Sequence, residues 1–324
     1  MASCLTSNLR SPLPLLLCAS AAFVLLQASD ASAGGIDLRN VDAGTITVVK
    51  PDATHTNITA SDKSIGNFNS FSIASDHFAD VILPDSNSVT LFRDVGGRTS
   101  EIAGSLHSNG RIMLVNPNGV FFGSNSRVDV AGMVASTADI TNADFLAGKS
   151  NFSIAGRPDA SIVNKGNITA ADGGLIALVA PSVRNDGVIQ ANMGTVALVG
   201  AQTASIDFYG DNLYSFALDK EITEVANGTK AAVENNNIIS VGGGKVLLTA
   251  KAAKGVVDNV INNTGIIEAS SAHLEGGVVV LDGGDGNVKL SGTINATGTT
   301  GGKVTVTGEN ITLAAADINA SGKN

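Results

Sequence analysis

The sequence predicts an all-β fold: a right-handed parallel β-helix, or solenoid, with extra-helical β elements. Three observations lead there. A short phrase built on Ile-x-Ala, Gly-Gly and Val-x-Leu recurs through the second half, as in Ile168-Thr169-Ala170 followed by Gly173-Gly174 and Leu175-Ile176-Ala177-Leu178. The runs inside each copy alternate apolar and polar with period two, which is the signature of a strand. The composition supplies small and β-branched core residues with many turns: Gly 37, Trp 0 and aromatics 4% among 324 residues.

The same composition excludes other classes. Apolar residues reach 44% and charged ones only 15%, with a mean hydropathy of +0.23, whereas disorder needs the reverse. Glycine has no three-residue period, so collagen is excluded. A net charge of −9 and no basic run argue against nucleic acid, because phosphate neutralisation needs clustered Lys or Arg.

Residues 1–33 read as a signal peptide. Arg10 gives a short positive region, residues 13–26 an apolar one, and Ala31-Ser32-Ala33 small residues at the −3 and −1 positions before Gly34. The apolar run is too short and too interrupted, by Pro14 and Ser20, for a membrane span of about 20 residues. Cleavage removes Cys4 and Cys18, the two cysteines of the chain. Absence of thiols suits a chain that must stay extended through a pore, and equally a core large enough to need no disulfide.

Residues 156–324 read as β-helix repeats. The recurring Ile stands 21 residues apart (168 to 189), then 28 (239 to 267), 27 (267 to 294) and 24 (294 to 318). An irregular insertion lies at about 200–232. One copy cannot bury its apolar face alone, so copies must stack, and units of this length with two or three strands stack as coils of a parallel β-helix. About a dozen coils at ~4.8 Å each would give a rod near ~60 Å.

Residues 34–155 carry the most specific motifs. The segment 104–123, GSLHSNGRIMLVNPNGVFFG, resembles the N-terminal secretion domain of two-partner secretion exoproteins, the filamentous haemagglutinin family. Segments 134–140 (VASTADI) and 144–148 (DFLAG) are similar to the family as well. So is 65–73 (IGNFNSFSI), with Phe68 standing where Trp is usual. Residues 207–209 and 260–265 extend the likeness over most of the mature chain. On this resemblance residues 34–155 are the cap and first coils of the secretion domain, and 156–324 continue it.

The resemblance implies secretion to the surface of a Gram-negative bacterium via the periplasm. The implied partner is a dedicated outer-membrane β-barrel transporter with periplasmic POTRA-type domains, and the usual destination is adhesion to a host or cell-surface receptor. It also implies that Asn116, Pro117, Asn118 and Gly119 form the secretion motif. From the residues alone these four are a β-turn, with Pro117 presetting φ and Asn118 in the left-handed region of a type II turn. Such a turn serves either as a structural corner or as a feature the transporter reads.

The rival reading is a secreted polysaccharide lyase or hydrolase on the same fold. Glycosidic chemistry wants two carboxylates ~5–9.5 Å apart on one face. Asp172, Asp186, Asp282 and Asp285 instead sit beside Gly or Asn, as turn residues do. His55, His77, His107 and His273 lack metal-ligand spacing. Gly283-Gly284-Asp285-Gly286-Asn287 is a single copy of a calcium-repeat-like phrase, with Val288 in the ligand position, and Gly242-Gly243-Gly244-Lys245 lacks the spacing of a phosphate loop. Asn167 and Asn310 head Asn-x-Thr sequons and read as turn residues. No catalytic residue, metal or cofactor is expected.

The final copy stops after Ile318-Asn319-Ala320 without a polar cap, so the chain is expected to be the N-terminal part of a longer exoprotein or a truncated copy of one. Mature protein is expected to begin at Gly34 or Gly35. N-terminal sequencing of exported material checks this, and retention of residues 1–33 would refute it.

Overall fold

A computed structural model describes residues 35–206, 216–271 and 276–322. The chain winds into coils whose strands form three parallel faces. One coil runs Asn167–Ala170 on the first face, Leu175–Ala180 on the second and Ser182–Asn185 on the third. The next coil, Val188–Ala191, Thr195–Gly200 and Ala231–Asn235, pairs with it strand for strand. This is the expected parallel β-helix.

Parallel in-register stacking sets each side chain above its equivalent in the next coil, so the inward positions form columns. One column runs Leu106, Val128, Ile168, Ile189, Ile239, Ile267 and Ile294, each essentially inaccessible to solvent. It is the repeated Ile of the sequence. The stack reaches Ile318, which pairs with Ile294 but is 40% exposed, since no described coil covers its far side. Ile311 and Leu313, aligned with buried Val288 and Leu290, are exposed for the same reason.

Close approach at the corners explains the recurring glycines. A Cβ on Gly194 would lie 2.1 Å from the Gly174 carbonyl oxygen, and one on Gly244 would lie 2.1 Å from that of Gly194. No side chain fits where backbone stacks on backbone at that distance.

Among the described residues, ten strands stack on the first face, from His55–Ala60 to Asp317–Asn319. That is roughly 45 Å at ~4.8 Å per rung, shorter than a dozen coils. The difference is chain spent elsewhere. Asp37–Ala43 and Ile46–Val49 run antiparallel to Ser64–Ser70 and His55–Ala60 and close the first rung. Among the described residues, segments 137–160, 201–206 and 216–230 depart from the regular succession of strands. They supply the helix Asn142–Leu146 and an antiparallel sheet of Asn151–Phe152, Thr203–Ile206 and Phe216–Lys220.

These excursions have a packing function. The second face is apolar on its outer side too, and Leu91, Met113, Val134, Val179 and Val199 form a second core with Phe145, Phe152 and Ile206 from the excursions. Strands such as Leu175–Ala180 are therefore buried at every position, and read as continuous apolar runs rather than alternating ones.

The third face holds an asparagine ladder. Asn164, Asn185, Asn235 and Asn263 are fully buried on consecutive rungs. Each Nδ2 donates to the Oδ1 of the next, at 2.9, 2.8 and 2.8 Å. The next rung puts Leu290 in the column. A buried amide is costly unless paired, and the ladder pairs each with its neighbour. Asn235→Ala leaves the Asn185 amide and the Asn263 oxygen short of a partner, and is expected to cost roughly 2–3 kcal/mol. Asn263→Leu, at the end of the ladder, is expected to cost about 1 kcal/mol. Urea unfolding of the two variants checks the order.

Candidate functional site

Segment 104–123 spans one coil. Its apolar run lies in the strand Ser105–Val115, the turn 116–119 comes next, and the strand Val120–Phe122 begins the third face. Asn116 is fully buried. Its Nδ2 donates to the Arg98 carbonyl oxygen at 2.8 Å and to Ser100 Oγ at 2.9 Å, and its Oδ1 accepts from the Asn118 backbone N–H at 2.8 Å. The turn is closed by Gly119 N–H donating to the Asn116 carbonyl at 3.0 Å. Pro117 and Asn118 are half-buried.

The expected conformation of Asn118 differs. The positive φ falls on Gly119, at +107°, and Asn118 is not among the described residues with positive φ. The bond from the Asn118 N–H to the Asn116 side chain makes an Asx-type turn, in which Gly follows the turn rather than Asn occupying its left-handed position. Gly119 also approaches the next coil: a Cβ there would lie 2.5 Å from the Ser161 carbonyl oxygen.

The hydrogen bonds of Asn116 continue upstream. Ser100 Oγ donates to Asp94 Oδ2 at 2.6 Å, and the same oxygen accepts from the Phe71 backbone N–H at 2.9 Å. Asp94 Oδ1 takes the Gly96 N–H at 3.1 Å. Asp94 is thus a buried carboxylate held by three donors. It ties segment 65–73 to the turn 116–119 across three coils. Phe68, Phe71 and Phe92 pack beside it with ring centroids 5.1–5.2 Å apart, so the Phe in the Trp position lies in an aromatic cluster.

Arg93, next in the strand, points to the opposite side, as alternate strand residues do. Its guanidinium reaches segment 134–140 and the first residue of the helix beyond it: Nε donates to Asp139 Oδ1 at 2.8 Å, Nη1 to Asn142 Oδ1 at 2.7 Å and Nη2 to the Ile140 carbonyl at 2.5 Å. Asp42 lies 3.9 Å from Nη1. Hydrogen bonds from Asn67 and then Asn142, together with the Arg93 charge, hold the Asp42 carboxyl below the usual carboxylate range. Arg93 and Asp94 therefore join three of the motif segments: 65–73, 104–123 through Ser100, and 134–140. Sequence reasoning did not single them out, because the partners that tie them to other segments, Phe71, Asp139, Ile140 and Asn142, lie 23 to 49 residues away. A charged pair ending a mostly apolar strand, Val89–Asp94, was the available signal.

Other candidate residues fall elsewhere. Ala31, Ala33, Gly34 and His273 lie outside the described residues. His55, His77 and His107 stand on or beside the outer first face, each against an aspartate: Asp52, Asp76 and Asp80. Asp80, His107 and Asp129 follow one another on successive rungs. This mixed column, with His107 between the two aspartates, stands on an exposed strand face. No group of three His, Cys, Asp or Glu among the described residues is placed to hold a metal ion. Asp282 and Asp285 sit at the turn before Asn287–Leu290, where Asp282 accepts the Gly284 N–H.

The chain belongs to the TPS (two-partner secretion) domain family, whose model matches residues 37–306. It is similar to two heme/hemopexin-binding proteins of Haemophilus influenzae. One, from strain Rd, is 30% identical over 67% of this chain and 24% of its own length, and the other 27% identical over 79% and 29%. The chain thus spans about a quarter of the length of these curated relatives. The crystal structure of the HMW1 secretion domain from Haemophilus influenzae matches with a TM-score of 0.77 and 29% identity, covering 89% of this chain and 74% of that one. Residues 37–306 are thus a TPS secretion domain.

Asn116→Ala removes two donated bonds and two accepted ones, and is expected to cost roughly 2–3 kcal/mol. Asn118→Ala removes only an amide contact of 3.2 Å to Asn116 and is expected to cost less than about 1 kcal/mol. Thermal unfolding of the purified mature domain carrying each substitution checks the contrast.

Proposed function

We propose that this chain directs the export of a secreted, non-enzymatic exoprotein of the adhesin and haemagglutinin class. In this reading residues 1–33 carry the chain across the inner membrane of a Gram-negative bacterium. POTRA-type domains of the transporter then receive it in the periplasm. Outside, each coil offers its upper strand edges as a template for the next, and folding helps to draw the chain out. Residues 34–155 act as the cap and first coils, and 156–324 extend them.

The observation that carries this reading is the burial of Asn116 in the network with Ser100 and Asp94. It supports a folding role for 116–119: a side chain enclosed in the first coils acts through their completion. Direct recognition of these residues by the transporter would have to take place before they fold. The kind of protein the chain resembles, secretion domains of binding exoproteins, supports the non-enzymatic reading over the polysaccharide-active one. The names of the curated relatives favour a haem-carrying ligand for the longer exoprotein as the alternative to a cell-surface receptor.

Co-expression with the cognate transporter tests the proposal. Export of the Asn116→Ala/Asn118→Ala variant is expected to fall at least ~10-fold, the equivalent of 1.4 kcal/mol, while synthesis continues. Normal surface levels would overturn it. Reduced export of a variant whose purified domain keeps its thermal stability would assign the turn to recognition instead.

A further inference from the structure

We propose that Asn227 is a site of spontaneous deamidation, the one Asn-Gly pair of this chain left chemically open by the fold. The chain has three such pairs: Asn109-Gly110, Asn118-Gly119 and Asn227-Gly228. The reaction is intramolecular. The backbone nitrogen of the glycine loses its proton and attacks the asparagine Cγ, a C–N bond forms, and ammonia leaves with the proton. Water then opens the resulting succinimide at either carbonyl, giving aspartate or isoaspartate. Glycine suits the step because no Cβ hinders the nitrogen and the backbone can rotate to bring it to the side chain.

The fold restrains both reacting groups in two of the pairs. At Asn109 the side-chain oxygen accepts from the Leu83 N–H at 2.8 Å and the amide donates to the Leu83 carbonyl at 2.7 Å. The attacking Gly110 N–H is meanwhile bonded to Ser108 Oγ at 3.1 Å. At Asn118 the amide donates to Asn116 Oδ1 and the Gly119 N–H to the Asn116 carbonyl. Exposure alone does not separate the sites, since Asn109 is itself exposed.

Asn227 is exposed and makes no hydrogen bond through its side chain, and the Gly228 N–H makes none either among the described residues. Gly228 has φ +87° and nothing within 4 Å of where a Cβ would stand. The pair forms the tip of a turn before Ala231–Asn235, in the excursion that rejoins the third face. Exposed loop tips are where the backbone has the freedom this geometry needs. The new carboxylate would line an open cavity of about 240 Å³ together with Arg184, Lys230 and Glu234.

The test is peptide mapping by mass spectrometry of the folded mature domain, incubated at neutral pH and sampled over weeks, beside the same chain held unfolded in urea. In the unfolded chain the three pairs are expected to convert at comparable rates. In the folded domain Asn227 is expected to convert at least ~10-fold faster than Asn109 or Asn118, because each of those must first break two or more hydrogen bonds. Isoelectric focusing should show one acidic satellite band growing with time and missing from Asn227→Gln. Equal rates at the three pairs in the folded domain, or an unchanged Asn227 while the unfolded chain converts, would overturn the proposal.

Discussion

The first coils depend on one buried arrangement, the adjacent pair Arg93 and Asp94. A strand sends neighbouring side chains to opposite faces, so two charges side by side serve two layers. Asp94 faces the coil interior and gathers donors from Phe71, Gly96 and Ser100. Arg93 faces outward and anchors the excursion through Asp139, Ile140 and Asn142. Burying either group without partners would be costly. Directly or through Ser100, the pair reaches segments 65–73, 104–123 and 134–140, three of those that carry the family likeness. Their placement in the fold rests on this one junction.

Farther along, the same requirement is met by repetition. In-register stacking makes each inward position answer to the one above it, so Ile stacks on Ile and Asn bonds to Asn. The asparagine ladder is the polar form of the rule: an amide has both a donor and an acceptor, and identical neighbours satisfy each other. The outer side of the second face cannot be solved this way. Its apolar residues need a cover, which Phe145, Phe152 and Ile206 provide from two excursions.

This contrast explains what could be read in the sequence. The repeated Ile and the stacked glycines are periodic and local, so the β-helix and its inward column were legible. The turn 116–119 was legible as a turn, because Pro and Gly act on their own backbone. The left-handed position was assigned to Asn118 rather than Gly119, since the deciding bond belongs to the buried side chain of Asn116. Asn164 and Asn185 each stand two residues before a glycine and look like turn residues. That they are rungs of a buried ladder depends on Asn235, 50 residues beyond Asn185. Coil number was overestimated because excursions and antiparallel strands do not announce themselves in a repeat length. Arg93 and Asp94 carry no periodic signal at all.

The central claim is that the turn at Asn116 and the carboxylate of Asp94 belong to one network through Ser100. A double-mutant cycle in urea unfolding measures it most directly, with Asp94→Asn, Asn116→Ala and the pair. The expected result is non-additivity, with a coupling of roughly 1–3 kcal/mol between the two sites, as for residues sharing a hydrogen-bonded partner. Effects that add to within about 0.5 kcal/mol would show two independent sites and contradict it.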